Sequence, residues 1–485
     1  MSHSPHPARH VGTPSRAARP RGAFLRGLRL LPTLAAAGLL TVVHPCPARA
    51  TDWPTYAAND ARTGVSPDPL PDKPAEAWTW TSPNPPQPAW QGEAKWDGWN
   101  KVYNLRPRQI FDRAFHPVVA QGRVYFGSSA DDKVYCLDAK TGRELWTHYT
   151  DGPVRLAPTI QGTRLYVGSD DGLVYCLDAA TGKELWQTRI GPSDRRIPGN
   201  GRVISVFPVR TSIIVRDGVL YTTAGMFPSE GIHIVALDAA TGKERWRQVQ
   251  NDLPAQGYLL ASRSQLYIPA GRDNPVVCDL KDGHRIRTVD GAGGTYALLV
   301  GDSLVFGPGK TGQLGMVEEG ASDQLATFQG LHMIVTPDRS YLHGDTEISA
   351  LDRAKYLGLA RQRKTLQNEQ GALNKQLRKF GDKPDPTGKR EALAKQLADL
   401  GPRIDALTVA MQDCLLWKVP CAASHAFILA GTSLVAGGQN EVSGFHADQG
   451  NRLWSQPVRG NAYGLAAADG ALFVATDAGT LHCLR

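Results

Sequence analysis

Apolar and polar residues alternate in short runs through most of this chain, and Gly, Asp and Asn cut the runs apart. Within residues 157–188 the runs are APTIQ, RLYVGS, LVYCLD and KELWQT, separated by Gly162, Asp170-Asp171-Gly172 and Ala180-Thr181-Gly182. Alternation with a period of two predicts β-strands, and four strands with tight turns predict one small antiparallel sheet. Helical spacing takes over only in residues 352–413. There Leu359, Leu366, Leu373 and Leu377, then Leu393, Leu397, Leu400, Ile404 and Leu407, flank the Pro/Gly-rich stretch GDKPDPTGK. This predicts an antiparallel helical hairpin.

The strand-rich unit recurs. GRVYFGS (122–128), TRLYVGS, GVLYTTA, SQLYIPA, DSLVFGP, DRSYLHG, TSLVAGG and GALFVAT align at Tyr125, Tyr166, Tyr221, Tyr267, Val305, Tyr341, Val435 and Phe473. Their spacings are 41, 55, 46, 38, 36, 94 and 38 residues, and the helical stretch accounts for the longest. Such a unit cannot bury both faces of its sheet alone, whereas units stacked around an axis can. The fold expected is all-β: an eight-bladed β-propeller of four-stranded blades with a helical hairpin inserted in blade 6. The eighth unit stops after its third strand at Leu484-Arg485, so AEAWTWTS (75–82) is predicted to supply the missing outer strand and close the ring.

A second phrase closes the clear units: LDAKTGRELW (137–146), LDAATGKELW (177–186), LDAATGKERW (237–246) and, loosely, FHADQGNRLW (445–454). Asp and Thr-Gly form the turn between the third and fourth strands, and the Trp is an apolar plate for packing between blades. With the preceding LYVGS strand, the phrase resembles the pyrroloquinoline quinone (PQQ) repeat of quinoprotein alcohol dehydrogenase-like propellers. TDWPTYAANDARTGVSP (51–67) resembles the segment that precedes the propeller in quinoprotein dehydrogenases and related envelope proteins. The resemblance implies one of two functions. The first is an exported, non-catalytic scaffold similar to the propeller of the outer-membrane barrel assembly machinery, binding envelope proteins. The second is a dehydrogenase of alcohols or sugars that holds PQQ and calcium on the axis. Characterised members commonly stack a vicinal Cys-Cys disulfide on the cofactor, and this chain has no adjacent cysteines. No catalytic residue and no calcium ligand is therefore carried over, and the first function is the expectation.

Charge first points to nucleic acid and then away from it. The net charge is +8, but residues 1–50 hold seven arginines and no acid, which leaves +1 from Thr51 onward. A basic start, an apolar run from Leu30 to Val43 and Ala48-Arg49-Ala50 read as a cleavable secretory signal peptide. The expectation is an exported monomer, periplasmic or secreted, with no transmembrane segment in the mature chain and no nucleic-acid partner. Four of the six remaining cysteines (Cys136, Cys176, Cys278, Cys483) occupy one repeat position and read as small core residues. Pairing of Cys414 with Cys421 stays open.

Extra residues mark the candidate site. Residues 83–115, 190–207 and 225–231 extend turns of one propeller face over blades 1–3. They and the positions beside them offer Trp96, Trp99, Arg113, His116, Asp194, Arg195, Arg196, Asn200, Arg202 and Arg210. Tryptophans with arginines suit an anionic or planar ligand, or a peptide anchor; equally, the arginines can bridge nearby acids while the loops pack on each other. The hairpin lies on the opposite face, and its residues 353–380 carry eight basic residues and one acid. Asp131-Asp132 and Asp170-Asp171 sit in turns where Asp is expected without a metal. GPGKTG (307–312) lacks the first glycine of a phosphate loop and reads as a hairpin turn.

Overall fold

The computed structural model describes residues 51–90 and 111–485, apart from 272, 292, 295, 302, 309–312 and 381–384. The expected leader, Trp96, Trp99 and the core of GPGKTG lie outside the described residues. Among the described residues six antiparallel four-stranded sheets follow one another, over 118–149, 159–189, 214–250, 260–288, 296–329 and 332–420. In each, chain order is spatial order. An eight-stranded sheet completes the set. It runs from Val65–Ser66 through Ala426–Ala430, Ser433–Gly437, Gln439–His446, Arg452–Ala468, Ala471–Thr476 and Thr480–Leu484 to Glu76–Thr81. The long strand Arg452–Ala468 pairs with Gln439–His446 through its first half and with Ala471–Thr476 through its second. Glu76–Thr81 pairs antiparallel with Thr480–Leu484, the pairing predicted for it.

Hydrophobic clusters lie between neighbouring sheets, and the repeated phrase builds the joints. Asp178 Oδ1 accepts from Thr181 N at 2.9 Å and Oγ1 at 2.7 Å, which fixes the turn. Trp146 of the first sheet lies on Gly182 of the next, and its Nε1 donates to Ala179 O at 3.2 Å. Trp78, Trp186, Trp246 and Trp417 repeat this donation to Ala139, Ala239, Leu280 and Ala447 at 3.1–3.2 Å. Gly182 has φ +72°, and a Cβ there would come within 2.5 Å of the Trp146 ring. Glycine is required on both counts. The cysteines take their place in the same device. Cys136, Cys176 and Cys483 stand opposite Trp146, Trp186 and Trp78 across the strand pair, small enough to admit the ring. All six described cysteines are buried and free, Cys414 and Cys421 included.

Three joints depart from the pattern. No tryptophan lies in Arg285–Thr288 of the fourth sheet. The fifth sheet offers Phe328, and the sixth sheet's turn is replaced by two helices, α1 (Arg353–Phe380) and α2 (Lys389–Gln412). Tyr356 of α1 packs 5.2 Å from Phe328, and Leu357, Ala360 and Met411 fill the joint. Ala75 and Arg485 exchange backbone hydrogen bonds at 2.7 and 2.8 Å, and Trp454 packs in the cluster that includes Cys483 and Leu484. Its Nε1 is buried with no partner among the described residues.

Residues 51–66 visit the inner strands in turn. Trp53 exchanges hydrogen bonds with Val119; Ile160, Ala261, Leu299 and Leu429 then donate to Pro54, Asp60, Ala61 and Gly64 at 2.8–3.0 Å. Arg62, 2% exposed, pins the segment through Leu259 O at 2.9 Å, Thr55 Oγ1 at 2.8 Å and Ser212 Oγ at 3.1 Å. The sequence TDWPTYAANDARTGVSP is thus a structural thread across the inner strands.

Candidate functional site

The extended turns over the first three sheets meet around one buried ion network. Asp170, in the turn between the second and third strands of the second sheet, accepts from Arg155 Nε at 2.6 Å. It also accepts from Arg210 Nε at 3.0 Å and Nη2 at 2.9 Å. Arg155 reaches on to Asp112 Oδ2 at 3.0 Å and Gln87 O at 2.8 Å, and Ala89 N donates to the same Asp112 oxygen at 2.7 Å. Asn200 accepts from Arg210 at 2.7 Å and donates to Ala89 O at 2.6 Å. Both carboxylates and both guanidinium groups are at most 2% exposed. Burial works to raise the Asp170 carboxyl, but Arg210 and Arg155 outweigh it and hold the group below its ordinary range. Asp112 has Arg155 as its closest cation, and burial wins, pushing it up. The network is neutral: two carboxylates, two guanidinium groups. Breaking such a buried pair is costly because one charge stays behind.

Apart from Arg113, the predicted residues divide into three groups. Arg210 and Asn200 are drawn into the network, and His116 lies against Tyr56 and Tyr258. Asp194, Arg195, Arg196 and Arg202 lie on or beside a two-stranded ribbon, Arg196–Gly199 with Arg202–Ser205. There Arg195 pairs with Glu230, Arg202 with Asp132, and Arg196 with Asp151 and Asp194 at 3.5 and 3.6 Å. Arg113 donates to Tyr463 OH at 3.4 Å and lies over that ring. Trp96 and Trp99 are the third group, outside the described residues. Sequence reasoning passed over Asp112 and Arg155 and took Asp170 for a turn residue. The signal available was the row FDRAFH, which places Asp112 beside the candidates Arg113 and His116.

Further in, Tyr56 stacks on Tyr258 at 3.5 Å between ring centroids, and His116 meets both rings edge-on at 5.2 and 6.0 Å. Burial lowers the His116 imidazole to about 4, so it is neutral at pH 7. Beside Tyr56, a cavity lined by Tyr296, His332, His425, Phe427 and Tyr463 has about 50 Å³ of free space, enough for water.

The described residues do not fit PQQ with calcium. Calcium takes six to eight oxygen ligands, and on this face Asp112 and Asp170 are committed to guanidinium groups. Asp171 is used by Tyr175 OH, Leu173 N and Asp151 N at 2.6–3.0 Å. Asp112 Oδ1 is the one carboxylate oxygen of the network left buried without a partner among the described residues. Elsewhere Asp279, Asp282 and His284 bring ligand atoms within 4.8 Å of one another, but on an exposed turn where His284 already bonds Asp282 at 2.8 Å.

A family model described as outer membrane protein assembly factor BamB matches residues 75–249 and 161–355, more than half of the chain. No curated protein matches it. Among solved structures, the quinohemoprotein alcohol dehydrogenase of Comamonas testosteroni is 13% identical with a TM-score of 0.57, covering 90% of this chain and 80% of that one. A quinohemoprotein alcohol dehydrogenase of Pseudomonas putida gives 14%, 0.55, 90% and 80%. A europium-containing methanol dehydrogenase gives 11%, 0.53, 87% and 89%. At these identities the likeness is one of fold. The recurring sheets, the phrase that joins them and the matched model agree: this chain belongs to the PQQ-repeat β-propeller family typified by the outer membrane protein assembly factor BamB.

Proposed function

We propose that the chain is an exported, monomeric, non-catalytic scaffold of the cell envelope that binds other envelope proteins. In this proposal the eight-stranded sheet counts as two blades sharing the strand Arg452–Ala468, giving eight blades, and Glu76–Thr81 closes the ring. The observation that carries the reading is the neutral Asp112–Arg155–Asp170–Arg210 network. It spends the buried charge of the loop face on holding loops together, where a quinoprotein needs open oxygen ligands. One further point supports it: the family model takes its description from an assembly factor. The surface offered to a partner on this face is the ribbon, where Asp194 and Arg195 keep 62% and 54% of their side chains exposed.

The second function, a PQQ- and calcium-dependent dehydrogenase, has Asp112 Oδ1 in its favour, since an unpartnered buried carboxylate oxygen is the kind of atom calcium takes. Calorimetric titration of the chain from Thr51 with PQQ, in calcium and in chelator, separates the two. Absence of heat in both supports the scaffold. Saturable, calcium-dependent binding tighter than about 10 μM, roughly 7 kcal/mol, would replace it with the enzyme.

A further inference from the structure

The helices α1 and α2 are anchored at one end only. Leu357 and Ala360 are buried against the fifth sheet, Arg361 pairs with Glu318 at 2.8 Å and Lys364 with Asp323 at 2.5 Å. Beyond Lys364, α1 continues for 16 residues to Phe380, about 24 Å at 1.5 Å per residue. Over that length the two helices bury only Leu373 and Leu400. Residues 371–396 hold seven basic residues against three acidic, a net +4. Lys375, Arg378, Lys379, Lys389, Arg390 and Lys395 are all exposed, and among the described residues no ion pair reaches any of them.

Two of these charges stand where the helix disfavours them. Lys389 and Arg390 open α2, beside the positive end of its dipole, behind an N-cap glycine that makes no side-chain hydrogen bond. Asp385 supplies the capping, accepting from Arg390 N at 2.7 Å. The basic residues at the base are neutralised inside the molecule; at the tip Arg378 and Lys379 suit the C-terminal end of α1, whereas Lys389 and Arg390 stand against the dipole of α2. Among the described residues the tip also lacks a large exposed apolar anchor: Phe380 is half-buried, and the large exposed apolar residue of the pair, Val409, sits at the base. Protein interfaces draw their energy from such anchors, whereas attraction to an anionic bilayer needs charge alone.

We infer that the tip of the helical pair docks on a bilayer carrying anionic phosphate headgroups. The inference takes only export to the envelope from the proposed function, so a PQQ-binding result would leave it standing. The test is co-sedimentation of the chain from Thr51, the start of the single compact unit at 49–485. The vesicles are phosphatidylglycerol mixed with phosphatidylcholine, or phosphatidylcholine alone. Binding is expected to the first kind only, weakening by about tenfold or more from low to high salt. The triple variant Lys375→Glu, Arg378→Glu, Lys379→Glu should abolish it. The pair Lys389→Glu, Arg390→Glu should also abolish it while leaving the melting temperature equal or higher, since acids suit that helix end, so lost binding there is not lost folding. No binding, equal binding to both vesicle kinds, or undiminished binding by both charge-reversed variants would overturn the inference. So would an acidic protein captured by the tip in place of vesicles.

Discussion

Trp146 acts through its edge as well as its face: the ring covers Gly182 while the indole N–H is spent on Ala179 O. Both recipients belong to the next sheet, which is why the phrase LDAATGKELW revealed a turn and a plate but not the contact they make together. The cysteines were legible as small core residues, and their pairing with the tryptophans appears only with strand register. His116 was picked out as a ligand-face residue, and its measurable property is its burial. The unfolded chain takes up a proton near the ordinary pKa of about 6.5, the folded one only near about 4. The unfolded state therefore binds protons first, and stability falls as pH drops through that window. At pH 5 His116 should cost about 2 kcal/mol relative to pH 7. Urea midpoints of His116→Phe should lose that share of the pH slope, while His148 and His233, also lowered by burial, keep theirs. An unchanged slope would show that the ring is solvated in the native state.

Leucine spacing gave the two helices with bounds close to those observed, because α1 and α2 pack chiefly on each other and local periodicity decides them. What the spacing did not give is their second duty. The fifth sheet has no tryptophan to offer its neighbour, and Tyr356, Leu357, Ala360 and Met411 fill that joint. In sequence these look like any helix ends. Replacing residues 366–400 by a short Gly linker should therefore leave the thermal midpoint unchanged. Removing 354–411 should uncover Phe328 and Met316 and cost about 4 kcal/mol of apolar burial. Equal midpoints for the two deletions would contradict the structural role of the base. The ribbon at 196–205 escaped notice for a related reason. Its strands are four residues each, each opening on an arginine, and they are held by acids from a turn of the first sheet and from the link to the second.

Repeat counting reaches the whole molecule better than any local signal, since each unit resembles the next while each loop resembles nothing. The strand at 76–81 was assigned by elimination, and its register with Thr480–Leu484 now includes Trp78 opposite Cys483. The site was far less legible: a neutral network drawn from residues 87–89, 112, 155, 170, 200 and 210 has no spacing in sequence that could announce it. If the strand at 76–81 is part of the ring, Trp78→Ala and Trp146→Ala should be equally damaging. Each should cost about 3 kcal/mol in chemical denaturation. A near-silent Trp78→Ala would mark the end strand as dispensable.

Thr79 meets His482 across 403 residues of chain. Joining two such distant segments costs about 3 kcal/mol more in loop entropy than closing a neighbouring hairpin. The partner strand of Glu76–Thr81 is synthesised after Ala426–Ala430, on which Val65–Ser66 pairs. Until then the strand Glu76–Thr81 has only its contacts with the first sheet, through Trp78 on Ala139 and Trp80 on Phe126 and Tyr135, and the final sheet waits with an open edge. The order of assembly is thus set by the chain itself: the four-stranded sheets can form from neighbours, and the pairings of Val65–Ser66 and Glu76–Thr81 with distant strands come last and slowest. For a chain expected to cross a membrane before folding, that delay is compatible with export. It also makes the interval before closure the period in which aggregation is the main hazard.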